Sequence, residues 1–267
     1  MIRAFRYLSL FIVLASYSLM SNAATFDHSA WDGLLKNYVQ PINDGHSTTV
    51  DYAGFLKNRS DLGRYLTQLS SLKRDDFDAL DKDEQLALLI NAYNAWTVEF
   101  ILTKYPDLKS IKELGSFFSS PWKKEFIPFL GEQRSLDDIE HNLIRGSGRY
   151  KDARIHFAVN CASIGCPALR AEAFISSKLD AQLEEQTQLF LSDTSRNRLT
   201  KDGLEVSSIF KWYREDFEKG WSGVDGLESF FALYSDSLKL NDQQVLDLQE
   251  GNLDIEFLDY DWRLNSK

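Results

Sequence analysis

Apolar and polar positions alternate along this chain mainly at helical spacing. SAWDGLLKNYV (29–39) and DLGRYLTQLSSL (61–72) each present an apolar stripe, the first opened by Ser29 as a cap. The strongest pattern runs from Asp81 to Lys104, where acids gather at the start and Pro106 lies just beyond the end. On a helical wheel Leu86, Leu89, Tyr93, Trp96 and Phe100 share one face, and Ala87, Asn91, Asn94, Ala95 and Val98 share the other. A helix apolar nearly all round is buried on most sides, so this segment is expected at the centre of the fold. FIPFLGEQRS (126–135) reads as a hairpin about Gly131, and SLDDIEHNLIR (135–145) as a helix capped by Ser135. RIHFAVN (154–160) alternates as a strand. SKLDAQLEEQTQLFLSD, SSIFKWYREDF and DGLESFFALYS read as helices, RLTKDGLEVS as a hairpin, and DIEFLDYDWRLN as a terminal strand. Helices with a small mixed or antiparallel sheet define an α+β class. No Pro/Gly/Ser-rich linker divides the chain. Residues 24–80 are read as a helical N-terminal extension packed on a core domain spanning 81–267.

The first residues change the picture of where the protein works. Arg3 and Arg6 precede LSLFIVLASYSLM, an apolar run too short to span a bilayer, and SNA at 21–23 supplies small residues for cleavage. This predicts a signal peptide over 1–23, a periplasmic or secreted protein, and no transmembrane segment after cleavage. Losing two arginines and no acids moves the formal net charge from −10 to −12. Such a surface repels nucleic acid and anionic lipid, which leaves a small-molecule or peptide ligand, or a protein partner, as the expected company.

Candidate chemistry concentrates in RIHFAVNCASIGCPAL (154–169), which holds both cysteines, Cys161 and Cys166, and one of four histidines. Two cysteines in an oxidising compartment suggest a disulfide, worth roughly 2 kcal/mol for so short a loop. It requires the Cα atoms within about 7 Å, and Gly165 and Pro167 allow the fold-back. Metal ligation is disfavoured, because C-x4-C is not a common ligand pair and His28 and His46 are distant in sequence. No metal and no cofactor are expected. The third reading is a reactive thiol: a strand breaking into a helix start at Cys161 would offer amides and a dipole to a thiolate. His141 or His156 would then serve as base. Glu140, about 100° from His141 on an ideal helix, is not an obvious orienter of its neighbour. Asn91 and Asn94, on a buried helix, either hold loop backbone or donate to an oxyanion or histidine.

LLINAYNAWTV, SLDDIEHNLIR, IHFAVNCASIGCPAL and LDYDWRLN, taken in that order, resemble domain-of-unknown-function family 547. Its members occur as exported bacterial proteins and as C-terminal domains of plant proteins with coiled-coil segments. The resemblance implies one fold unit and a set of signature positions: Asn91, Tyr93 and Asn94; Glu140 and His141; His156, Asn160, Cys161, Ser163, Cys166 and Pro167; Tyr260, Asp261, Trp262 and Asn265. A signature of Asn, His, Glu and Cys is similar in kind to papain- and transglutaminase-type hydrolases, although no histidine follows Cys161 in this chain.

Two functions are therefore carried forward, and enzyme status is left open. One is a cysteine-dependent hydrolase or acyltransferase on amide or peptide-like substrates. In it Cys161 is nucleophile, His141 or His156 base, Asn91, Asn94 and Glu140 further catalytic candidates, and Asn160, Ser163, Cys166 and Tyr93 supporting. The other is a non-catalytic binding or scaffold domain stapled by Cys161–Cys166. Thiol–disulfide exchange is poorly supported, since there is no C-x-x-C.

Overall fold

The computed structural model describes residues 25–116 and 119–267; the signal-peptide expectation for 1–23 lies outside the described residues. Helix α1 (Ser29–Tyr38) leads into a two-stranded hairpin, β1 (Val39–Ile42) and β2 (Ser47–Val50), which the helical reading of 24–80 did not anticipate. Helices α2 (Tyr52–Lys57), α3 (Arg59–Ser71) and α4 (Arg74–Asp78) follow. The apolar stripe of α3 buries Leu62, Tyr65, Leu66 and Leu69, the spacing that lays one helix face on a neighbour.

That neighbour is α5 (Lys82–Leu102), the central helix. The Asp81 carboxylate caps it by accepting from the Glu84 N–H at 2.8 Å, and Asp83 and Glu84 in its first turn favour the positive end of the dipole. From Glu84 to Leu102 every residue except Glu99 is buried. Residues 29–80 contribute Trp31, Leu34, Phe55 and Tyr65 to the same apolar core as α5.

The hairpin about Gly131 forms as expected, with β3 (Ile127–Phe129) paired to β4 (Glu132–Arg134). Residues Asp138–Arg145 are helical but wound as a π-helix, with the Gly146 N–H donating to the His141 carbonyl at 2.8 Å, five residues back. The expected strand at 154–160 is replaced by a 3-10 helix, Ala153–Phe157, capped by Asp152. Alternation marks a strand only when one side faces water. Here all five residues are buried, Ile155 in the first core and Ala153 and Phe157 in a second.

The second core belongs to the C-terminal half. Helix α6 (Leu179–Ser192) is followed by the β5 (Arg198–Leu199) and β6 (Leu204–Ser207) hairpin. The expected helix in SSIFKWYREDF is broken at Tyr213 into α7 (Ile209–Trp212) and α8 (Arg214–Phe217). Helices α9 (Leu227–Leu233), α10 (Ser235–Leu238) and α11 (Asp242–Gln249) complete the layer. Phe157, Phe190, Phe210, Phe217 and Phe230 interlock here at ring separations of 4.8–6.3 Å.

The terminal strand is shorter than expected: β7 (Ile255–Leu258) lies parallel to β6, with Val206 opposite Phe257. Residues 259–265 then leave the sheet and clamp distant loops. Gly165 and Ile164 donate to the carbonyls of Asp261 and Arg263, Asn265 to that of Ala162, and Val50 to that of Asn265. The chain is thus α+β with small sheets of two and three strands. Among the described residues, no helix is long and apolar enough to cross a membrane.

Candidate functional site

The loop carrying both cysteines is fixed from three sides. The Asn160 side chain pins it internally, donating to the Pro167 carbonyl at 2.7 Å and accepting from Ala162 N–H at 2.9 Å. From α5, Asn94 reads the backbone on both sides of Val159: its amide donates to Ala158 O (2.9 Å) and accepts from Asn160 N–H (2.8 Å). Asn91 makes the same two-point clasp on Phe174, at 2.7 and 3.1 Å. Arg196, paired with Asp193, donates to the Cys166 carbonyl. Between these anchors Cys161 and Cys166 are joined by a disulfide, with Cα atoms 6.1 Å apart.

Two expectations are corrected. No helix starts at Cys161: the chain turns through Ala162 at φ +62°, so there is no dipole to lower a thiol pKa. The Cys161 N–H points instead at Cys166 Sγ, 3.0 Å away. Asn91 and Asn94 do not line the cavity described next; each holds loop backbone through both its amide nitrogen and its amide oxygen. Ser163 is also buried away from the cavity described next, its hydroxyl without a partner among the described residues.

Beside the disulfide lies a cavity of about 210 Å³ that joins the signature blocks in space. Tyr93 comes from α5, Glu140 and His141 from the π-helix, His156 from the 3-10 helix, Cys161, Cys166 and Pro167 from the loop, and Tyr260 and Trp262 from the terminal segment. Glu140 and His141, adjacent in sequence on the π-helix, both line the cavity. Tyr260 donates or accepts at both sulfurs, 3.2 Å from Cys161 Sγ and 3.1 Å from Cys166 Sγ. Its ring passes so close to the loop that a Cβ at Gly165 would stand 3.0 Å from it, which explains the glycine.

The wall is aromatic. Trp212 stacks on Trp262 (centroids 5.7 Å apart), Trp122 meets Trp262 edge-on at 5.6 Å, and Tyr260 sits 4.5 Å from Trp262. Within it Glu140 is 6% exposed, and no nitrogen cation among the described residues is within ion-pair distance of its carboxylate. The Tyr93 and Tyr213 hydroxyls face it. Burial, reinforced by the Glu140 charge, pushes both phenols well above their ordinary value, so they remain protonated donors.

Behind this wall runs a polar network that sequence reasoning missed. His156 is buried, stacks on Tyr213 at 4.0 Å, and sets its Nε2 2.7 Å from Asp216 Oδ2. Arg145 and Lys219 also donate to Asp216. Burial opposes ionisation of Asp216, but the bonds from His156, Arg145 and Lys219 prevail and hold its carboxyl well below the usual carboxylate range. Burial likewise holds His156 below the ordinary imidazole value, against the pull of Asp216. A neutral His156 donating through Nε2 keeps its lone pair on Nδ1. His141 is half-exposed; its Nδ1 accepts from Arg145 at 2.6 Å and its Nε2 lies 3.4 Å from Asp137. The only sequence signal for Asp216 and Tyr213 was the crowding of Trp, Tyr and acid in KWYRED. Among the described residues, no group of three or more His, Cys, Asp and Glu is arranged to hold a metal ion.

Residues 77–191 match the family model for protein of unknown function, DUF547. The match supports the family read from the sequence blocks and runs from just before α5 to the end of α6. It includes the Asn clasps, Glu140, His141, His156 and the disulfide, whereas Tyr213, Asp216, Tyr260 and Trp262 lie beyond it. No curated protein and no solved structure matches the chain.

Proposed function

We propose that the protein is a binding domain that takes a small molecule or a peptide side chain in the aromatic cavity, with Cys161–Cys166 as a structural staple. The observation that carries this reading is the bonded pair of sulfurs beside a cavity whose one deeply buried carboxylate, Glu140, faces ligand space. A disulfide withdraws the nucleophile a thiol enzyme requires, while aromatic walls with a few fixed polar groups are how ligand pockets are built. Export to the periplasm or beyond is part of the same proposal: the basic and apolar N-terminus and the disulfide both fit an oxidising compartment.

The test is a thiol count. Protein isolated without reductant should take up no maleimide, native or denatured, and reducing the bridge should lower its unfolding free energy by about 2 kcal/mol. Native labelling at Cys161 would sink the proposal. It would favour the second reading, a thiol hydrolase or acyltransferase, which one observation supports: His156, oriented by Asp216, lines the same cavity as Cys161. That constellation has the logic of base and orienter, and alkylation of Cys161 would then slow markedly in Asp216→Asn.

A further inference from the structure

Resting on the reading of the cavity as a binding pocket, we infer that its ligand is a small organic cation, presented as an alkylammonium or guanidinium group. The first observation is electrostatic. Glu140 is a carboxylate more than nine-tenths buried, facing the cavity, with no ion-pair partner among the described residues. A buried charge without a counterion is unfavourable unless something completes it. Two other acids with buried side chains do have cations: Asp216 holds Arg145 and Lys219, and Asp193 holds Arg196, while buried Glu84 accepts from the Phe26 N–H at 2.7 Å. Glu140 has no such cation among the described residues, and it opens on the aromatic cavity.

The second observation is the rest of the lining. Asp137 adds another carboxylate, and neither lysine nor arginine is among the residues that line the cavity. Arg145, the nearest guanidinium in sequence, is turned to Asp216 and His141. His156 is held neutral by burial. The third observation is the wall: Tyr93, Trp122, Trp212, Tyr213, Tyr260 and Trp262 supply π faces, which attract desolvated cations through the ring quadrupole. Lys112, outside the cavity, already sets its ammonium 3.7 Å over the ring of Trp262. A sugar or a neutral amide would use the rings but leave the charge of Glu140 uncompensated. A cation uses both, and a cavity of about 210 Å³ accommodates a head group of that kind.

The experiment exploits the three lining tryptophans as reporters. Tryptophan fluorescence of the oxidised protein is titrated with choline, with its neutral isostere 3,3-dimethylbutan-1-ol, and with Nα-acetyl-arginine amide. Saturable binding of at least one cation, roughly tenfold or more tighter than the neutral isostere, is the expected result. Preference for choline or for the arginine derivative tells a free alkylammonium compound from a peptide side chain. Glu140→Gln, checked for folding by circular dichroism, should erase the difference between choline and its isostere. Equal affinity for choline and the neutral alcohol overturns the cation while leaving the pocket standing. No response to any of the three overturns both. Should Glu140→Gln fail to fold, the wild-type comparison still decides.

Discussion

Asn94 and Glu140 are both buried polar side chains of the signature blocks, and their surroundings are opposite. Every hydrogen-bonding position that Asn94 uses is met by backbone, at 2.8 and 2.9 Å, and the same holds for Asn91 on Phe174. Glu140 faces the Tyr93 and Tyr213 hydroxyls and the open side of a cavity. One region, the frame of clasps and the disulfide, is closed upon itself. The other, the aromatic cavity, is open, and on the proposed reading a ligand completes it. A buried polar group that is fully satisfied specifies architecture, and one left short of a partner points to a ligand.

The frame should therefore answer mutation with a large loss of stability. Asn94→Ala strands the Ala158 carbonyl and the Asn160 N–H in a buried site, and each orphaned group costs roughly 1–3 kcal/mol. A loss of about 3 kcal/mol in urea denaturation is expected, and a similar loss for Asn91→Ala. Asn94→Asp should not rescue, because a carboxylate accepts from Asn160 N–H but turns a second acceptor toward the Ala158 carbonyl. A change under about 0.5 kcal/mol would dissolve the contrast between frame and cavity.

Asp193 sharpens the frame through pH. Burial raises its carboxyl, but the Arg196 charge and hydrogen bonds from Ser195, Ser47 and Arg196 outweigh burial and bring it down to about 2. Arg196 in turn holds the Cys166 carbonyl, so this pair reaches the loop. A folded pKa below the unfolded value, near 3.9, contributes stability that is complete above about pH 4 and is lost as pH falls toward 2. The wild type should lose about 2 kcal/mol more than Asp193→Asn across that window. Parallel curves for the two proteins would show that Asp193 does not anchor the loop.

The frame was more legible in the sequence than the cavity, for physical reasons. A helix apolar nearly all round has one place to go, so α5 and its burial follow from pattern alone. The hairpins at Gly131 and Gly203 follow from turn chemistry and flanking strands. The segment at 154–160 misled because alternation encodes one wet side, and here two cores meet it from both sides. Asn91 and Asn94 were ambiguous because an amide's partner is a matter of tertiary distance. Asp216 lies 60 residues after His156, and nothing local marks it as that histidine's partner. The four blocks were visible as a set, yet the Tyr213 break that turns two aromatics into the cavity was not.

The smallest expected effect separates the regions most cleanly, because its sign differs. Glu140→Gln keeps shape and removes a buried charge that has no ion-pair partner among the described residues. Its amide retains an acceptor for the Tyr93 and Tyr213 hydroxyls and gains donors directed at the cavity, where water reaches them. Relief of the uncompensated charge should leave stability unchanged or raise it by up to about 1 kcal/mol, read as a higher urea midpoint at constant slope. Sites shaped for a ligand commonly trade stability for function in this way. If Glu140→Gln instead loses as much as Asn94→Ala, the carboxylate is a member of the frame, and the cavity beside it is a packing defect and not a site.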